Sequence, residues 1–430
     1  MLSSSSSSLN SSPPRSTTST PCTEHNLFFA NIVSDYVDPQ YILVTGGLGF
    51  IGSHTSLELL KAGYNVLIVD DLSNSYPDVF DRILAAAHLH FGNTKSQCPK
   101  LKLWKADYRD ECSMRRLFQT YWNGQQTNIT GVIHFAAFKA VEESIRNPLR
   151  YYLNNINGMV VLLGLLEEFD VKNFIFSSSA TVYGSVADRG VSLREEDCVH
   201  RSEEFLDHDG FKHIAVPGCI GITNPYGRTK YFGEAILSDL AVSDPTWNII
   251  ALRYFNPIGC DSSGLLGEDP RDVPSNLLPI VVKVMTGQWQ ELSIYGADWD
   301  TADGTAIRDF IHVSDLARGH IAALETLMQR KPESVLLQDQ RGSIGFATFN
   351  LGTGSGHSVQ EVIDTMAAVS NTSIPYKVVG RRPGDVGSCV AEAGKANKQL
   401  CWQAQKSLKD ACTDISHQIF FSLVVVVIDA

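Results

Sequence analysis

Several features that mark other classes of protein are missing from this 430-residue sequence: an excess of positive charge, a long apolar run and any CxxC pair of cysteines. Acidic residues outnumber basic ones by 47 to 35, a net charge of −12, which argues against a nucleic acid or an anionic membrane as partner. The apolar run at residues 420–428 is far shorter than the ~20 residues that span a bilayer, so no membrane anchor is predicted. With nine scattered cysteines and no signal peptide, the sequence favours a cytoplasmic protein with reduced thiols.

Composition divides the chain into a leader, two folded regions and a tail. Residues 1–37 are rich in Ser and Thr and poor in apolar side chains, so they are predicted to be a disordered leader. From residue 38 to 257, short apolar runs alternate with segments of helical period, which predicts an α/β fold with a Rossmann-type, doubly wound parallel sheet. The predicted strands are 41–45, 65–69, 101–106, 131–135, 173–177 and 248–255.

A smaller C-terminal α/β lobe is predicted for residues 258–414, followed by a tail of atypical sequence at 415–430. The predicted helices of this lobe are 276–286, 313–328 and 359–368.

An insertion at 185–223 is polar and has poor periodicity, which indicates a surface excursion. Its possible zinc ligands fit no tight ligand pattern, so no metal is predicted. They are Cys198, His200, His208, His213 and Cys219.

A glycine-rich turn follows the first predicted strand and precedes a helix-forming stretch. Residues 47–52 form a GxGxxG pattern, which permits a tight turn and the approach of a pyrophosphate to backbone N–H groups at a helix N-terminus. The second strand ends at Asp70 and Asp71, where a carboxylate can bind the adenosine ribose and repels a 2′-phosphate. The pattern therefore predicts NAD rather than NADP, with Asp107 beside the adenine.

Tyr226 and Lys230 form a Tyr-x-x-x-Lys pattern directly after Pro225. Proline favours a helix start, and residues four apart then share one face of that helix. A tyrosine of pKa ~10 needs roughly 4 kcal/mol of phenolate stabilisation to act as a base near pH 7, which Lys230 and a positive nicotinamide can supply. Ser179, at the end of the fifth strand, can hydrogen-bond the same substrate oxygen. The predicted catalytic residues are thus Ser179, Tyr226 and Lys230.

The blocks around these residues resemble the UDP-glucose 4-epimerases of the extended short-chain dehydrogenase/reductase family. The matching blocks are residues 46–54, 134–141, 151–155, 177–184, 225–230, 252–257 and 308–313. The resemblance covers about residues 41–414 and implies an isomerase of galactose metabolism that interconverts UDP-glucose and UDP-galactose by transient oxidation at C4. It further implies retained NAD, a UDP-hexose substrate and a homodimer, with Tyr226 as the base.

The same resemblance assigns the remaining site residues. Those placed around the cofactor are Gly46, Gly49, Phe50, Ile51, Gly52, Asp70, Asp71, Asp107, Tyr108, Lys139, Asn154, Tyr226, Lys230 and Tyr254. Those placed around the UDP-sugar are Ser179, Asn256, Asn276, Leu277, Tyr295, Arg308, Arg382, Asp385 and Cys389. Cys389 stands where some members have a bulky tyrosine, so its small side chain predicts space for an N-acetylated sugar.

Two features distinguish this chain, one from related dehydratases and the other from the usual pattern of the family it resembles. Related dehydratases carry an acidic residue just after the serine segment, where this chain has Ala180 and Thr181. Ser179 and Tyr226 are 47 residues apart, about twice the usual family spacing, so the insertion must loop out for them to meet. The open alternatives are another UDP-sugar 4-epimerase, acting on UDP-xylose or UDP-glucuronate, and a catalytically silent NAD-binding scaffold.

Overall fold

The computed structural model describes residues 39–92, 98–207, 209–271, 273–328, 345–382 and 384–428, with side chains described as far as residue 420. The predicted leader, 1–37, and His208 lie outside these ranges. Among the described residues, no helix is long and apolar enough to cross a membrane. The apolar run at 420–428 instead belongs to the last helix.

Strands and helices alternate along most of the described chain. The strands are β1 (Tyr41–Thr45), β2 (Asn65–Asp70), β3 (Leu101–Lys105), β4 (Ile129–His134), β5 (Asn173–Ser179), β6 (Glu203–Leu206), β7 (Lys212–Ala215), β8 (Asn248–Tyr254), β9 (Asn256–Ile258), β10 (Leu292–Tyr295), β11 (Ile307–His312), β12 (Gly345–Leu351), β13 (Gly356–Ser358), β14 (Tyr376–Val379) and β15 (Ser388–Cys389). The α-helices are α1 (Phe50–Lys61), α2 (Asp78–Phe91), α3 (Glu111–Thr120), α4 (Val141–Arg146), α5 (Pro148–Tyr151), α6 (Gly158–Glu168), α7 (Pro225–Ser243), α8 (Leu277–Met285), α9 (Val313–Leu327), α10 (Val359–Ser370), α11 (Gly394–Leu400) and α12 (Leu408–Ile428). A π-helical turn (Tyr152–Asn157) and 3-10 segments (Ala180–Arg189 and Glu195–Asp197) complete them.

Seven parallel strands form the central sheet, in the order β12-β8-β5-β4-β1-β2-β3. The sheet grows in one direction from β1 and in the other from β4, so the point between these strands is the switch point at which doubly wound sheets bind ligands. The predicted Rossmann-type fold is confirmed. Each of the six predicted strands is present within two residues of its predicted ends.

The seventh strand, β12, comes from the region predicted to be the smaller lobe. All seven of its residues pair with β8. No strand is predicted here from the sequence, because Asn350 interrupts the apolar residues of this segment. In the folded chain Asn350 is buried, and its Oδ1 accepts a hydrogen bond from the Tyr183 hydroxyl at 2.6 Å. The polar group is thus satisfied by a residue that is distant in sequence.

Apolar side chains cover both faces of the central sheet. Leu57 of α1 and Leu324 of α9 are fully buried on one face, and Phe118 of α3 and Leu237 of α7 are fully buried on the other. Each such side chain contributes roughly 1.5–3 kcal/mol of transfer free energy. Burial on both faces also explains why the strands read as continuous apolar runs.

A third apolar cluster fills the C-terminal lobe, where Phe310, Val281 and Val362 are buried together. Strand β11 is central to this lobe, because it pairs with β13, β15 and β9. Strands β10 and β14 form a separate parallel pair. The lobe therefore brings β9, which follows the Rossmann strand β8, into register with β11.

The insertion has an exposed half and a buried half. Strands β6 and β7 form an antiparallel hairpin, on which Leu206 is exposed. In contrast, Leu193 and Cys198 at its base have no exposed surface. The prediction of a surface excursion is right for the hairpin and wrong for the base, whose apolar side chains pack beside Val182 and Tyr183.

Candidate active site

The turn between β1 and α1, residues 46–52, is a cradle made of backbone atoms. Gly46 has a φ of +69°, and its N–H donates to the Val69 carbonyl at 2.7 Å. A Cβ on Gly52 would lie 2.1 Å from the Gly46 carbonyl oxygen, so this position admits no side chain. Gly49 precedes α1 and has no side chain to cap it. The N–H groups of Phe50 and Ile51 at this helix start suit an anionic acceptor, and the cradle therefore fits a dinucleotide pyrophosphate.

Asp70 fastens the cradle to the end of β2. Its carboxylate accepts hydrogen bonds from Leu48 N–H at 3.0 Å, Leu72 N–H at 3.0 Å and the Ser75 hydroxyl at 2.8 Å. A carboxylate has about four acceptor positions, which leaves one for a ribose hydroxyl. Its neighbour Asp71 is exposed and accepts from Ser73 N–H at 2.9 Å.

The predicted adenine side of the cofactor site is held by a second set of contacts. Asp107 pairs with Arg109 at 2.6 Å, and this guanidinium holds the pKa of Asp107 below its usual range. The hydroxyl of Tyr108 donates to the main-chain carbonyl of Asn154. The structure thus brings together three residues that the sequence assigned to the cofactor.

Lys139 connects the predicted cofactor and substrate residues through Glu268, which the sequence did not identify. Lys139 Nζ lies 3.1 Å from Glu268 Oε1, and the same oxygen accepts from Asn276 Nδ2 at 2.7 Å. Asn276 immediately precedes α8, whose first residue is Leu277. Glu268 carries no local motif, so only its position in the folded chain indicates this role.

Ser179, Tyr226 and Lys230 converge at the carboxyl end of β5. The helix α7 that carries Tyr226 and Lys230 starts where predicted, with Pro225 in its first turn and the Asn224 side chain accepting from Gly227 N–H at 2.8 Å. Lys230 Nζ donates to the Ser177 carbonyl at 2.5 Å and lies 5.8 Å from the centre of the Tyr226 ring. The insertion therefore leaves the predicted catalytic residues together despite their separation in sequence.

The Ser179 hydroxyl is oriented by Thr181, another residue whose role the sequence did not indicate. Thr181 N–H donates to Ser179 Oγ at 3.3 Å, and the Thr181 hydroxyl lies 3.0 Å from the same oxygen. Ser179 is also hydrogen-bonded to Tyr226. With its acceptor positions facing Thr181, Ser179 can donate its proton toward Tyr226 or a substrate oxygen.

The pKa of Tyr226 shows that the sequence prediction of its activation was incomplete. Burial raises this pKa to about 12, although the hydrogen bond from Ser179 opposes the shift. Burial also lowers the pKa of Lys230 to about 7, so this lysine loses its proton more easily than an exposed one. Burial therefore outweighs the hydrogen bond from Ser179, and a cation bound beside Tyr226 would stabilise its phenolate.

Behind Lys230 lies a buried ion pair between Glu234 of α7 and Arg253 of β8. Neither side chain is exposed, and Arg253 Nη2 lies 2.7 Å from Glu234 Oε2. Arg253 also donates to the Cys198 carbonyl at 2.6 Å, while His200 Nε2 lies 2.8 Å from Glu234 Oε2. Burial alone would raise the pKa of Glu234, but Arg253 and His200 hold it at about 2. The pair thereby fixes the base of the insertion against the catalytic helix.

We call the group of Ser179, Tyr226, Lys230, Glu234 and Arg253 the catalytic wall. The sequence identified its first three members but not the ion pair, because the ion pair depends on contacts between α7, β8 and the base of the insertion. Glu234 also lies close to two residues of the insertion, since its carboxylate and the side-chain ligand atoms of Cys198 and His200 lie within 4.8 Å of one another.

The predicted substrate residues other than Ser179, Asn276 and Leu277 form two groups next to the wall. In the first, the Arg382 guanidinium lies 4.4 Å from the centre of the Tyr295 ring, and Arg382 Nε donates to Asp385 Oδ2 at 3.0 Å. Their loop reaches the start of α7, where the Thr223 hydroxyl donates to the Gly384 carbonyl at 3.3 Å.

In the second group, Arg308 of β11 pairs in register with Cys389 of β15. Burial raises the pKa of the Cys389 thiol to about 11, although Arg308 opposes this shift. Cys389 packs against the cluster that contains Ala180, directly after Ser179. Asn256 lies nearby in the fold, at the start of β9, which pairs with another part of β11.

Tyr254, at the end of β8, is buried and lies near Tyr226. Its hydroxyl is hydrogen-bonded to His320 Nε2. A glycine cradle at the switch point, a carboxylate at the end of β2 and a Ser, Tyr and Lys group define a Rossmann-fold enzyme that uses a nicotinamide dinucleotide.

Comparison with known proteins identifies the family. Residues 42–337 match the model of the NAD dependent epimerase/dehydratase family. The UDP-glucose 4-epimerase of Dictyostelium discoideum is 43% identical over 373 residues, which cover 87% of this chain and 94% of that protein. The UDP-glucose 4-epimerase of Homo sapiens is 40% identical over 384 residues, with 87% and 95% covered. The chain therefore belongs to the NAD dependent epimerase/dehydratase family.

Solved structures show the same likeness. The UDP-glucose 4-epimerase from Bifidobacterium longum in complex with NAD+ and UDP aligns with a TM-score of 0.73 and 41% identity, covering 89% of this chain and 98% of that one. The enzyme from Stenotrophomonas maltophila, with bound NAD and formylated UDP-arabinopyranose, aligns with a TM-score of 0.73 and 37% identity, covering 90% and 99%. The predicted fold and cofactor class are thus confirmed.

Proposed function

We propose that this chain is a UDP-glucose 4-epimerase that interconverts UDP-glucose and UDP-galactose. The observation that carries the proposal is the convergence of Ser179, Tyr226 and Lys230 beside a dinucleotide cradle, in a chain about 40% identical to named epimerases over most of its length. The activity places the protein in galactose metabolism.

NAD would be held by residues on both sides of the switch point between β1 and β4. The cradle N–H groups of Phe50 and Ile51 would bind the pyrophosphate, Asp70 the adenosine ribose, and Lys139 and Lys230 the nicotinamide half. When bound, NAD supplies the two-electron oxidation at C4 of the sugar and its reversal. Its positive nicotinamide would also stabilise the phenolate of Tyr226.

Tyr226 would be the base that accepts and then returns the one proton transferred in the reaction. It accepts the proton of the O4 hydroxyl as C4 is oxidised, and returns it when C4 is reduced on the opposite face. Ser179 donates a hydrogen bond to the same oxygen and keeps it within reach of the phenol. Because the segment after Ser179 offers Ala180 and Thr181 rather than an acid, no second proton is moved and elimination of water is not supported.

The UDP part of the substrate would lie along the C-terminal lobe. Arg308 and Arg382 suit a diphosphate through forked hydrogen bonds, and Asp385 can accept from ribose hydroxyls. The remaining predicted contacts are Asn256, Asn276, Leu277 and Tyr295. Remote binding of UDP leaves the hexose free to turn over between oxidation and reduction.

Turnover of UDP-galactose by the purified protein without added NAD tests the proposal. Formation of UDP-glucose is expected, and Tyr226→Phe should reduce kcat by about 10²–10⁴-fold, as loss of a general base does. Tyr376→Phe is the matched control, since Tyr376 is exposed on β14 and should leave the rate unchanged. Wild-type protein that binds NAD but converts neither UDP-galactose nor UDP-xylose would favour the silent scaffold instead.

Cys389 supports a second substrate class of the same reaction. A thiol is smaller than the tyrosine found here in some relatives, which leaves room for the N-acetyl group of UDP-GlcNAc. Cys389→Tyr should therefore reduce turnover of UDP-GlcNAc much more than turnover of UDP-glucose. An equal loss on both substrates would contradict this specificity.

The proposal also includes a cytoplasmic homodimer. Leu149, Leu153, Val160 and Phe232 are exposed on neighbouring helical segments of the Rossmann region, which supports a helical interface between two copies. Light scattering after size exclusion should give twice the chain mass, and Leu149→Glu with Leu153→Glu should return it to one chain.

A further inference from the structure

Cys198 and Cys219 face each other across the base of the insertion. Val199 and Gly218 form an antiparallel bridge in which the Gly218 N–H donates to the Val199 carbonyl at 2.9 Å. The next pair in this register is Cys198 opposite Cys219. This pair follows a hydrogen-bonded pair and is therefore a non-hydrogen-bonded one, in which the two Cα atoms lie about 4.5 Å apart. Disulfides span Cα separations of about 4.4–6.8 Å.

The two side chains also differ in the way that a reactive dithiol requires. Their thiols are in hydrogen-bonding contact, which lowers the pKa of Cys219 and raises that of Cys198. Cys219 is partly exposed, whereas Cys198 is fully buried. Cys219 is thus the thiol that a small oxidant reaches first, and Cys198 is held next to it.

A metal site is the competing interpretation, because the ligand atoms of Cys198, His200 and Glu234 lie within 4.8 Å of one another. However, the Glu234 carboxylate already binds Arg253 through both oxygens, at 3.0 and 2.7 Å, and His200 at 2.8 Å. A cation would have to enter beside a buried guanidinium. The hydrogen bonds of this cluster are therefore satisfied without a metal, and the thiols are the groups left with reactivity.

We propose that Cys198 and Cys219 are a redox-responsive dithiol that forms a disulfide across the base of the insertion. The Cys219 thiolate attacks oxidised glutathione, forms a mixed disulfide and releases one glutathione thiolate. Cys198 then attacks the Cys219 sulfur and releases the second glutathione. The protein loses two protons and two electrons, and the small disulfide becomes two thiols.

The bond would lock the insertion beside the catalytic wall. The Cys219 thiol donates to the Val182 carbonyl at 2.6 Å, three residues after Ser179, and the Cys198 carbonyl accepts from Arg253. A covalent link between these anchors closes the segment 199–218 and removes much of the conformational freedom of its open state. The β6–β7 hairpin should consequently open less often.

The test exposes the full-length protein, as purified with its bound cofactor, to a series of oxidised-to-reduced glutathione ratios, followed by acid quenching, alkylation and peptide mass spectrometry. Two alkylatable thiols per chain should be lost, with a linked peptide that contains Cys198 and Cys219. Amide exchange in residues 203–215 should slow by about tenfold or more in the oxidised form. Because this readout follows thiols, it is independent of the proposed epimerase activity.

Three variants make the result specific. Cys198→Ser and Cys219→Ser should each abolish the linked peptide, and Cys112→Ser, which removes an exposed thiol, should retain it. Cys219→Ser suffices if Cys198→Ser fails to fold. Persistence of both free thiols in the most oxidising mixture would overturn the proposal. So would one bound metal ion per chain in the wild type that is lost from Cys198→Ser.

Discussion

The cradle and the catalytic wall meet at the same end of the sheet but are built in different ways. The cradle consists of seven consecutive residues whose work is done by the backbone, and its critical property is the absence of side chains at positions such as Gly52. The wall consists of side chains from β5, α7 and β8, braced by the base of the insertion. The cradle therefore depends on steric space, whereas the wall depends on buried charge being paired.

Removing one charge from the wall should give the largest loss of stability. Glu234→Gln leaves the fully buried Arg253 without its carboxylate, which should reduce the free energy of unfolding by about 3–5 kcal/mol. Urea unfolding of the purified variant measures this loss. Glu142→Gln is the matched control, since its pair with Arg146 is largely exposed and should be worth less than about 1 kcal/mol. Equal losses in the two variants would break the distinction between wall and surface.

Adding one carbon to the cradle should affect the cofactor more than the fold. Gly52→Ala places a Cβ 2.1 Å from the Gly46 carbonyl oxygen, and neither backbone segment can move freely. Overpacking of this kind costs about 1–3 kcal/mol and is relieved by displacing the cradle backbone that would bind the pyrophosphate. If the cradle must be restored for binding, NAD affinity should fall by up to about 100-fold. The amount of NAD that copurifies with folded protein measures it. Gly164→Ala in α6, where an added Cβ meets no atom within 4 Å, should retain the wild-type amount.

As the pH falls, the contribution of His134, beside the cradle, to stability should be lost before that of Glu234 in the wall. Burial lowers the pKa of His134, which lies 2.7 Å from Thr45 at the end of β1, to about 3. Between pH 6.5 and 3 the unfolded chain binds a proton there that the folded chain does not, so stability is full above pH 6.5 and is lost as the pH falls. For Glu234, with a pKa of about 2, the stabilisation is full above pH 4.5 and is lost only below it.

His134→Gln should therefore flatten the dependence of stability on pH between 6 and 4.5, by up to about 1.4 kcal/mol per pH unit. Glu234→Gln should lower stability across this range without changing the slope. Thermal melts at closely spaced pH values measure both effects. An unchanged slope in His134→Gln would show that other groups cause the acid loss.

The same difference explains how much could be predicted from the sequence. The cradle, Asp70 and the start of α7 at Pro225 follow from local patterns, and the structure bears out their geometry. The ion pair of Glu234 and Arg253 could not be predicted, because a glutamate and an arginine usually lie on the surface and these two meet only after the sheet has formed. Strand β12 could not be predicted for a related reason, since the hydrogen bond that satisfies its buried Asn350 comes from Tyr183, which is 167 residues away in sequence.

The sequence predicts that Lys230 and a positive nicotinamide lower the pKa of Tyr226, whereas burial in the folded chain raises it. Tyr-x-x-x-Lys spacing places the two side chains on one face, but it does not report how far burial opposes both charges. The shifts of the Tyr226 pKa to about 12 and of the Lys230 pKa to about 7 both arise from burial. Local pattern thus identifies the residues of this site, and packing determines their protonation.

Conversion of UDP-galactose that carries deuterium at C4 tests the central claim most directly. If the wall and the cradle together oxidise C4 and then return the same hydrogen, the UDP-glucose formed in ordinary water should retain the deuterium at C4. Complete exchange of the label with solvent would mean that the hydrogen leaves as a proton, and would contradict the account of this site.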